Sequence, residues 1–385
     1  MQNFVFQNPT KIIFGKGSIK QISGEISKDA KVLITYGGGS AKRSGVLDEV
    51  KTALHGYDIT EFGGIGPNPE YETIMKGVAL ARKKKSNFLL AIGGGSVIDG
   101  TKFMAAAIPF KNNAALLLEN AGSAILQALP IGVVLTLPAS GSEMNNRAII
   151  SRKAVMHKRA IMNPFLFPRF AVLDPTKTYT LPARQIGNGV VDTFVHVLEQ
   201  YMTYLVDAKV QDRLAEGLLH VLIEEGPKAL IEPENYDVRA NLMWCATMAL
   251  NGLIGAGVPQ DWAAHRIGYE LTVLYGLDHA QTLAVLVPAM FKILERDKRQ
   301  KLLQYGERVW GINNGNEQER IDAAIDKTRE FFEKMQIPTR LSAYGITDKC
   351  IPLVVELLKT HGLVKLGERQ SVTPEVVKKM LQLCL

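Results

Sequence analysis

Asp192 and His196 stand four apart in a run whose apolar residues keep helical spacing, so both side chains project from one helix face. Further along come His265 and His279, fourteen apart. On one continuous helix they would lie ~21 Å from each other, too far to share an ion. Gly276-Leu277-Asp278 interrupts that segment, and Asp278 is suited to cap a new helix, so two helices can bring the imidazoles together. One carboxylate with three imidazoles suits Zn²⁺ or Fe²⁺. A D-x-x-x-H pair also occurs as an ordinary polar pair on a helix. The flanks Gly189-Val190-Val191-Asp192 and Leu277-Asp278-His279-Ala280 favour ligands, because an unpaired charge in apolar sequence is costly. His55, His157, His220 and His361 lie in charged or turn-like contexts and read as surface or core polar residues.

A second chemistry is written in two glycine turns. Lys31 to Tyr36 runs into Gly37-Gly38-Gly39-Ser40, and Phe88 to Ile92 runs into Gly93-Gly94-Gly95-Ser96. Glycine lets a backbone approach a phosphate closely, and the helix that follows presents free N–H groups and the positive end of its dipole. Neither turn is G-x-G-x-x-G, and triple glycine also occurs in plain turns. Ser96 and Asp99 share a helix face. Ser96 can donate to a pyrophosphate oxygen, whereas Asp99 is either a cofactor contact or a helix-start acid stabilised by the dipole. The first turn carries no acid to bind a ribose 2′-OH, and Lys42-Arg43 follow it, which favours NADP(H) over NAD(H) unless both cations are merely solvated.

The elements that must hold these residues fall into two grammars. Up to about residue 180, strand runs (31–36, 58–62, 88–92, 133–137, 148–151 and 170–173) alternate with helical runs (45–54 and 71–85), which predicts a parallel sheet with helices on its faces. After Pro182, long helical periodicities dominate, as in 190–204, 207–225, 238–253 and 321–334. The expected fold is α/β: a Rossmann-like, dinucleotide-binding domain over 1–180, then an all-helical, metal-binding domain over 181–385.

Composition narrows the classes. Of the 385 residues, 46% are hydrophobic and 22% charged, the balance of a globular protein with a full core. No apolar run reaches membrane-span length, and the N-terminus lacks a basic region followed by an apolar one, so neither a membrane span nor a secretory signal is expected. Cys245, Cys350 and Cys384 make neither a zinc spacing nor a disulfide framework, which fits buried thiols in a reducing, cytoplasmic setting. The formal charge of +7 is scattered, and its one dense run, 82–85, ends a helical pattern without interleaved aromatics, so nucleic acid is not an expected partner.

Taken in order, these residues resemble the iron-containing, or group III, alcohol dehydrogenases. The resemblance spans the chain: Asn8 to Gly17, Pro67-Asn68-Pro69, Gly93 to Asp99, Thr136 to Glu143, Gly189 to His196 and the His265/His279 pair. Tyr36 to Ser40 and Asp278 to Gln281 resemble the branch of NADPH-dependent aldehyde reductases and butanol dehydrogenases in particular. The architecture implied is dehydroquinate synthase-like. The resemblance implies Asp192, His196, His265 and His279 as ligands of one divalent metal, Fe²⁺ or Zn²⁺. It implies Gly38, Gly39 and Ser40 around a 2′-phosphate. Asn68, Gly94, Gly95, Ser96, Asp99, Thr136, Ser140, Ser142 and Lys158 are the other expected cofactor contacts. Asp99, His265 and His279 are the expected catalytic set.

The implied activity is hydride transfer between NADP(H) and a small aldehyde or primary alcohol. The implied assembly is a homodimer whose N-terminal strands pair, a role open to Phe4 to Phe6. Two departures stand out. Tyr269 takes the place of a second histidine common four residues after the third ligand, and a phenol with a pKa near ~10 is a poor base at neutral pH. Asn112 to Leu118 replaces a D-P-W-like segment, which bears on substrate range. Competing expectations are an NAD-using relative on the same fold, either a glycerol-type dehydrogenase or a dehydroquinate synthase-like lyase, and a member that binds nucleotide without efficient turnover.

Overall fold

A computed structural model describes all 385 residues. Six strands form one parallel sheet: β1 (Lys11–Phe14), β2 (Lys31–Tyr36), β3 (Asp58–Phe62), β4 (Phe88–Gly94), β5 (Ile131–Leu137) and β8 (Phe170–Leu173), in the order β1-β8-β5-β4-β2-β3. Three strands depart from the sequence expectation. β6 (Arg147–Arg152), expected in the main sheet, pairs instead with β7 (His157–Met162) in a separate antiparallel hairpin. Neither β1 nor β7 announces itself as an apolar run. β1 buries one of its four residues, Ile13, and β7 opens His157-Lys158-Arg159.

The strands read as continuous apolar runs because both faces of the sheet are covered. Successive side chains go to opposite cores. Leu33, Leu89, Ala91, Val133 and Leu135 pack with Ile74, Val78, Ile98 and Phe103 on one face. Val32, Ile34, Leu90, Ile92 and Val134 pack with Ile19, Leu47 and Val50 on the other.

The polypeptide does not divide at a single point. One compact unit holds Gln7–Leu181 together with Pro233–Thr247, and the other holds Met1–Phe6, Pro182–Glu232 and Met248–Leu385. Residues 233–247 join the sheet unit because Met243 enters its core and Trp244 meets Phe14 edge-on at 6.1 Å. The first residues join the helical unit through Gln2, whose N–H donates to the Gly257 carbonyl at 2.9 Å.

In the helical unit the Ala183–Tyr201 helix is central: every residue from Ile186 to Tyr201 is buried. A helix buried all round must satisfy or neutralise each polar group it carries. Phe194 is packed by Phe331 and Phe332, with ring centroids 4.9 and 5.7 Å away. Asp192 and His196 are thus carried on the most enclosed element of that unit. No helix of the structure is long and apolar enough to cross a membrane.

Candidate metal centre and phosphate turns

The Ala263–Tyr275 helix carries His265 and ends at Gly276, whose φ of 69° lets the chain turn back. Asp278 then begins the His279–Ile293 helix, its N–H donating to Gln281 Oε1 at 2.9 Å in a capping box. The Asp278 carboxylate accepts from Arg184 Nε at 2.8 Å and Asn188 Nδ2 at 2.6 Å, both on the Ala183–Tyr201 helix. That latch sets the first residue of the new helix, His279, facing Asp192.

Asp192, His265 and His279 offer one ligand atom each, and all three atoms lie within 4.8 Å of one another. Asp192 Oδ1 is 3.9 Å from His279 Nε2 and 3.5 Å from His196 Nδ1. The His196 and His265 rings lie 4.8 Å apart between centroids. His196 therefore borders the cluster but falls outside its tightest group of three. Tetrahedral bonds of ~2.0–2.1 Å put ligand atoms roughly 3.4 Å apart, so a small contraction would close these donors on one ion. The donor set fits a divalent cation: Asp192, His196 and His265 are buried, and an ion supplies the charge that a buried carboxylate requires.

Several neighbours frame these ligands. Tyr269 is buried with its ring 5.4 Å from that of His279, tilted by 34°. Trp262, held at a φ of 61°, lies 5.0 Å from His265 between ring centroids. Backbone at positive φ is unfavourable for a bulky side chain and persists where its surroundings enforce it. Glu199 was not anticipated. It is buried one helical turn past His196, and its Oε1 lies 3.3 Å from His265 Nδ1. Burial, and then neighbouring Asp261, lift the Glu199 carboxyl well above its ordinary range. Its signal was the spacing Asp192, His196, Glu199, three acceptors on one face of a buried helix.

In the sheet unit, the two glycine turns leave adjacent strands, since Tyr36 pairs with Ile92. β5, which carries Thr136, is the next strand over. Ser40, Ser96 and Thr136 are thus gathered along one carboxyl edge of the sheet, where open α/β folds take ligands. A Cβ on Gly94 would sit 2.9 Å from Leu137 Cβ, and one on Gly95 would sit 2.2 Å from Ser140 Oγ. Glycine is required there to let the 137–142 segment lie against the start of the Gly95–Ala107 helix. No side chain caps that helix, which leaves its first N–H groups to an anion.

Asp99 makes both of its oxygens useful to the protein itself. Oδ1 accepts from Ser142 Oγ at 2.6 Å and Oδ2 from the Ile149 N–H at 2.9 Å. Burial lifts its carboxyl above the ordinary range, with Lys102 and Ser142 opposing. Lys102, one turn on and also unanticipated, is wholly buried. Its ammonium donates to Ser142 Oγ, the Asn145 carbonyl, Asn145 Oδ1 and the Arg147 carbonyl at 2.8–3.0 Å. Burial pushes Lys102 down to about 8 against the pull of Asp99 and Glu143. Glu143 is in turn lifted by burial and accepts from Thr247 Oγ1. Lys158 donates to Asn68 Oδ1 at 2.7 Å, which joins two further expected cofactor contacts.

Around the first turn the structure adds an acid that the turn's own sequence lacks. Glu61 of β3 accepts from Lys51 Nζ at 2.9 Å and from Tyr36 Oη at 3.2 Å. Lys42 lies 5.1 Å above the Tyr36 ring and 4.0 Å from Glu61. Arg43 folds back so that its Nη1 would lie 3.1 Å from a Cβ on Gly39, whereas a Cβ on Gly38 would meet nothing within 4 Å. The turn therefore has an open glycine and a cation beside it, with its nearest acid already engaged.

The model for iron-containing alcohol dehydrogenase matches residues 9–175, and that for the C-terminal domain of the Fe-containing alcohol dehydrogenase family matches 187–382. The chain is 58% identical over 384 residues to the NADPH-dependent aldehyde reductase YqhD of Escherichia coli, covering 99% of each chain. It is 39% identical to NADH-dependent butanol dehydrogenase B of Clostridium acetobutylicum, covering 100% of this chain and 99% of that one. Among solved structures, E. coli YqhD superposes with a TM-score of 0.99 at 56% identity, covering 100% of this chain and 99% of that one. NADH-dependent butanol dehydrogenase A from Thermotoga maritima superposes with a TM-score of 0.94 at 34% identity, with the same coverage. Matched along almost its whole length, the chain belongs to the iron-containing alcohol dehydrogenase family.

Proposed function

We propose that this chain reduces short aldehydes to primary alcohols with NADPH, and catalyses the reverse oxidation, using one divalent ion held by Asp192, His196, His265 and His279. The observation that carries the proposal is the convergence of Asp192, His265 and His279 on one point. When bound, the ion supplies a Lewis acid for the substrate oxygen and the nicotinamide supplies the hydride.

The protein's own residues do the rest. Asp192 contributes the charge that fixes a cation, and the neutral imidazoles contribute lone pairs. Gly38, Gly39 and Ser40, with Arg43 beside them, receive the 2′-phosphate. Gly94, Gly95, Ser96 and the first amides of the Gly95–Ala107 helix receive the pyrophosphate. Asn68, Thr136, Ser140 and Lys158 line the rest of the cofactor path, and Asp99 and Ser142 hold its wall. Tyr269 flanks His279, its ring against the imidazole. YqhD, the most similar of the relatives above, is named for NADPH, and the engagement of Glu61 by Lys51 and Tyr36 supports the same preference here.

The ion is iron or zinc. A homodimer is the proposed assembly, supported by Phe4, Val5 and Phe6, whose side chains are exposed on a segment without regular structure. Light scattering is the check on that mass. A cytoplasmic setting is proposed from the three buried free thiols. The direct test of the site is His265→Ala: metal content and butanal-dependent NADPH oxidation should fall together, by at least about 100-fold in rate, on the scale of losing several kcal/mol of charge stabilisation. Undiminished turnover in a metal-free His265→Ala protein would refute the assignment.

A further inference from the structure

We infer that Glu199 is the positioning residue that fixes the tautomer and aim of His265, and so sets how tightly the ion is held. Its role, which rests on the metal assignment above, follows from where the carboxylate lies. Glu199 is three residues past His196 and seven past Asp192, so the same buried helix that supplies two ligands also supplies this acid.

Glu199 Oε1 accepts from the backbone N–H of His265 and lies 3.3 Å from its Nδ1; an ionised carboxylate can only accept, which places the ring proton on Nδ1. An imidazole that donates from Nδ1 keeps its lone pair on Nε2. The carboxyl therefore selects the tautomer that can ligate through Nε2, and its second bond, to the backbone, fixes the first turn of the helix that carries the ring. Outer carboxylates of this kind orient ligating histidines and raise their basicity.

The arrangement is braced from behind. The Asp261 N–H donates to the Glu199 carbonyl at 2.9 Å. Asp261 Oδ1 accepts from the Ala263 N–H at 3.0 Å, at the head of the His265 helix. Lys298, buried, donates to Asp261 Oδ2 and to the Met202 carbonyl at 2.6 Å each, and reaches Glu368 at 3.1 Å. Lys298 thus ties the segment leading into His265 to the end of the Ala183–Tyr201 helix.

The experiment uses the full chain stripped of metal and titrated with Zn²⁺ against a chromophoric chelator, comparing wild type, Glu199→Gln and His265→Ala. Glu199→Gln is expected to keep the circular dichroism and melting temperature of the metal-free wild type and to bind Zn²⁺ 10- to 100-fold more weakly. Binding by a folded Glu199→Gln within twofold of wild type overturns the role of Glu199 and leaves the metal site standing. Failure of wild type to take up one equivalent, or His265→Ala binding as tightly as wild type, overturns the metal site itself and the role with it. If Glu199→Gln does not fold, nitrogen-15 spectra of the histidines in the metal-free wild type decide. A proton on His265 Nδ1 supports the role, and a proton on Nε2 overturns it.

Discussion

Lys102 holds a charge where almost no solvent reaches it, and the protein answers with four oxygens from residues 142–147. The same groups form the wall beside the second glycine turn, so the lysine braces the proposed cofactor site from behind. Its pKa in the folded protein is about 8, below the 10.5 of a free lysine. Between those values the unfolded chain binds more protons than the folded one, so stability rises with pH across that window. Below pH 8 the cost of the buried charge is fully present, and it is relieved as pH climbs towards 10.5. Compared with Lys102→Met, whose side chain does not titrate, wild type should therefore gain roughly 2–3 kcal/mol of stability between pH 7.5 and 10. Denaturant unfolding at both pH values measures this, and parallel profiles for the two proteins would contradict it. The charged groups facing Lys102, namely Asp99, Glu143 and Arg147, stay in place in both proteins.

At the scale of elements, the site is made by helix starts and strand ends. The turn between β4 and its helix is shaped by Gly95, where an added Cβ would collide with Ser140 Oγ at 2.2 Å. Gly95→Ala should displace the 140–142 segment and raise the KM for NADPH at least about 10-fold, the effect of losing one or two phosphate hydrogen bonds. Metal content should stay unchanged, and an unaltered KM would show that Gly95 does not shape the cofactor site. Much of this level is legible in the sequence. β2, β4 and β8 follow from apolar runs closed by turn residues, and the break at Gly276 to Asp278 follows from a glycine and a capping acid. What escapes has a physical reason. β1 is a short edge strand, β7 is too polar to stand out, and the antiparallel pairing that takes β6 out of the main sheet depends on that unseen partner. Glu199 and Lys102 look like ordinary helical polar residues. Their partners lie 66 residues on, at His265, and 40 to 45 residues on, at Ser142 to Arg147, and only tertiary structure brings them together.

For the molecule as a whole, each unit has its own task. The sheet unit gathers its two glycine turns at the ends of adjacent strands, and the helical unit encloses one carboxylate and its imidazoles. Family membership and the shared fold place the chain among metal-dependent oxidoreductases. Whether turnover requires the ion is the most direct question to put to this account. Metal-free protein should be titrated with Fe²⁺, and separately with Zn²⁺, while NADPH oxidation by butanal is followed. Activity should be absent at the start, rise in proportion to added ion, and level off at one equivalent per chain with at least one of the two metals. Full turnover in protein verified to be free of metal would contradict the account.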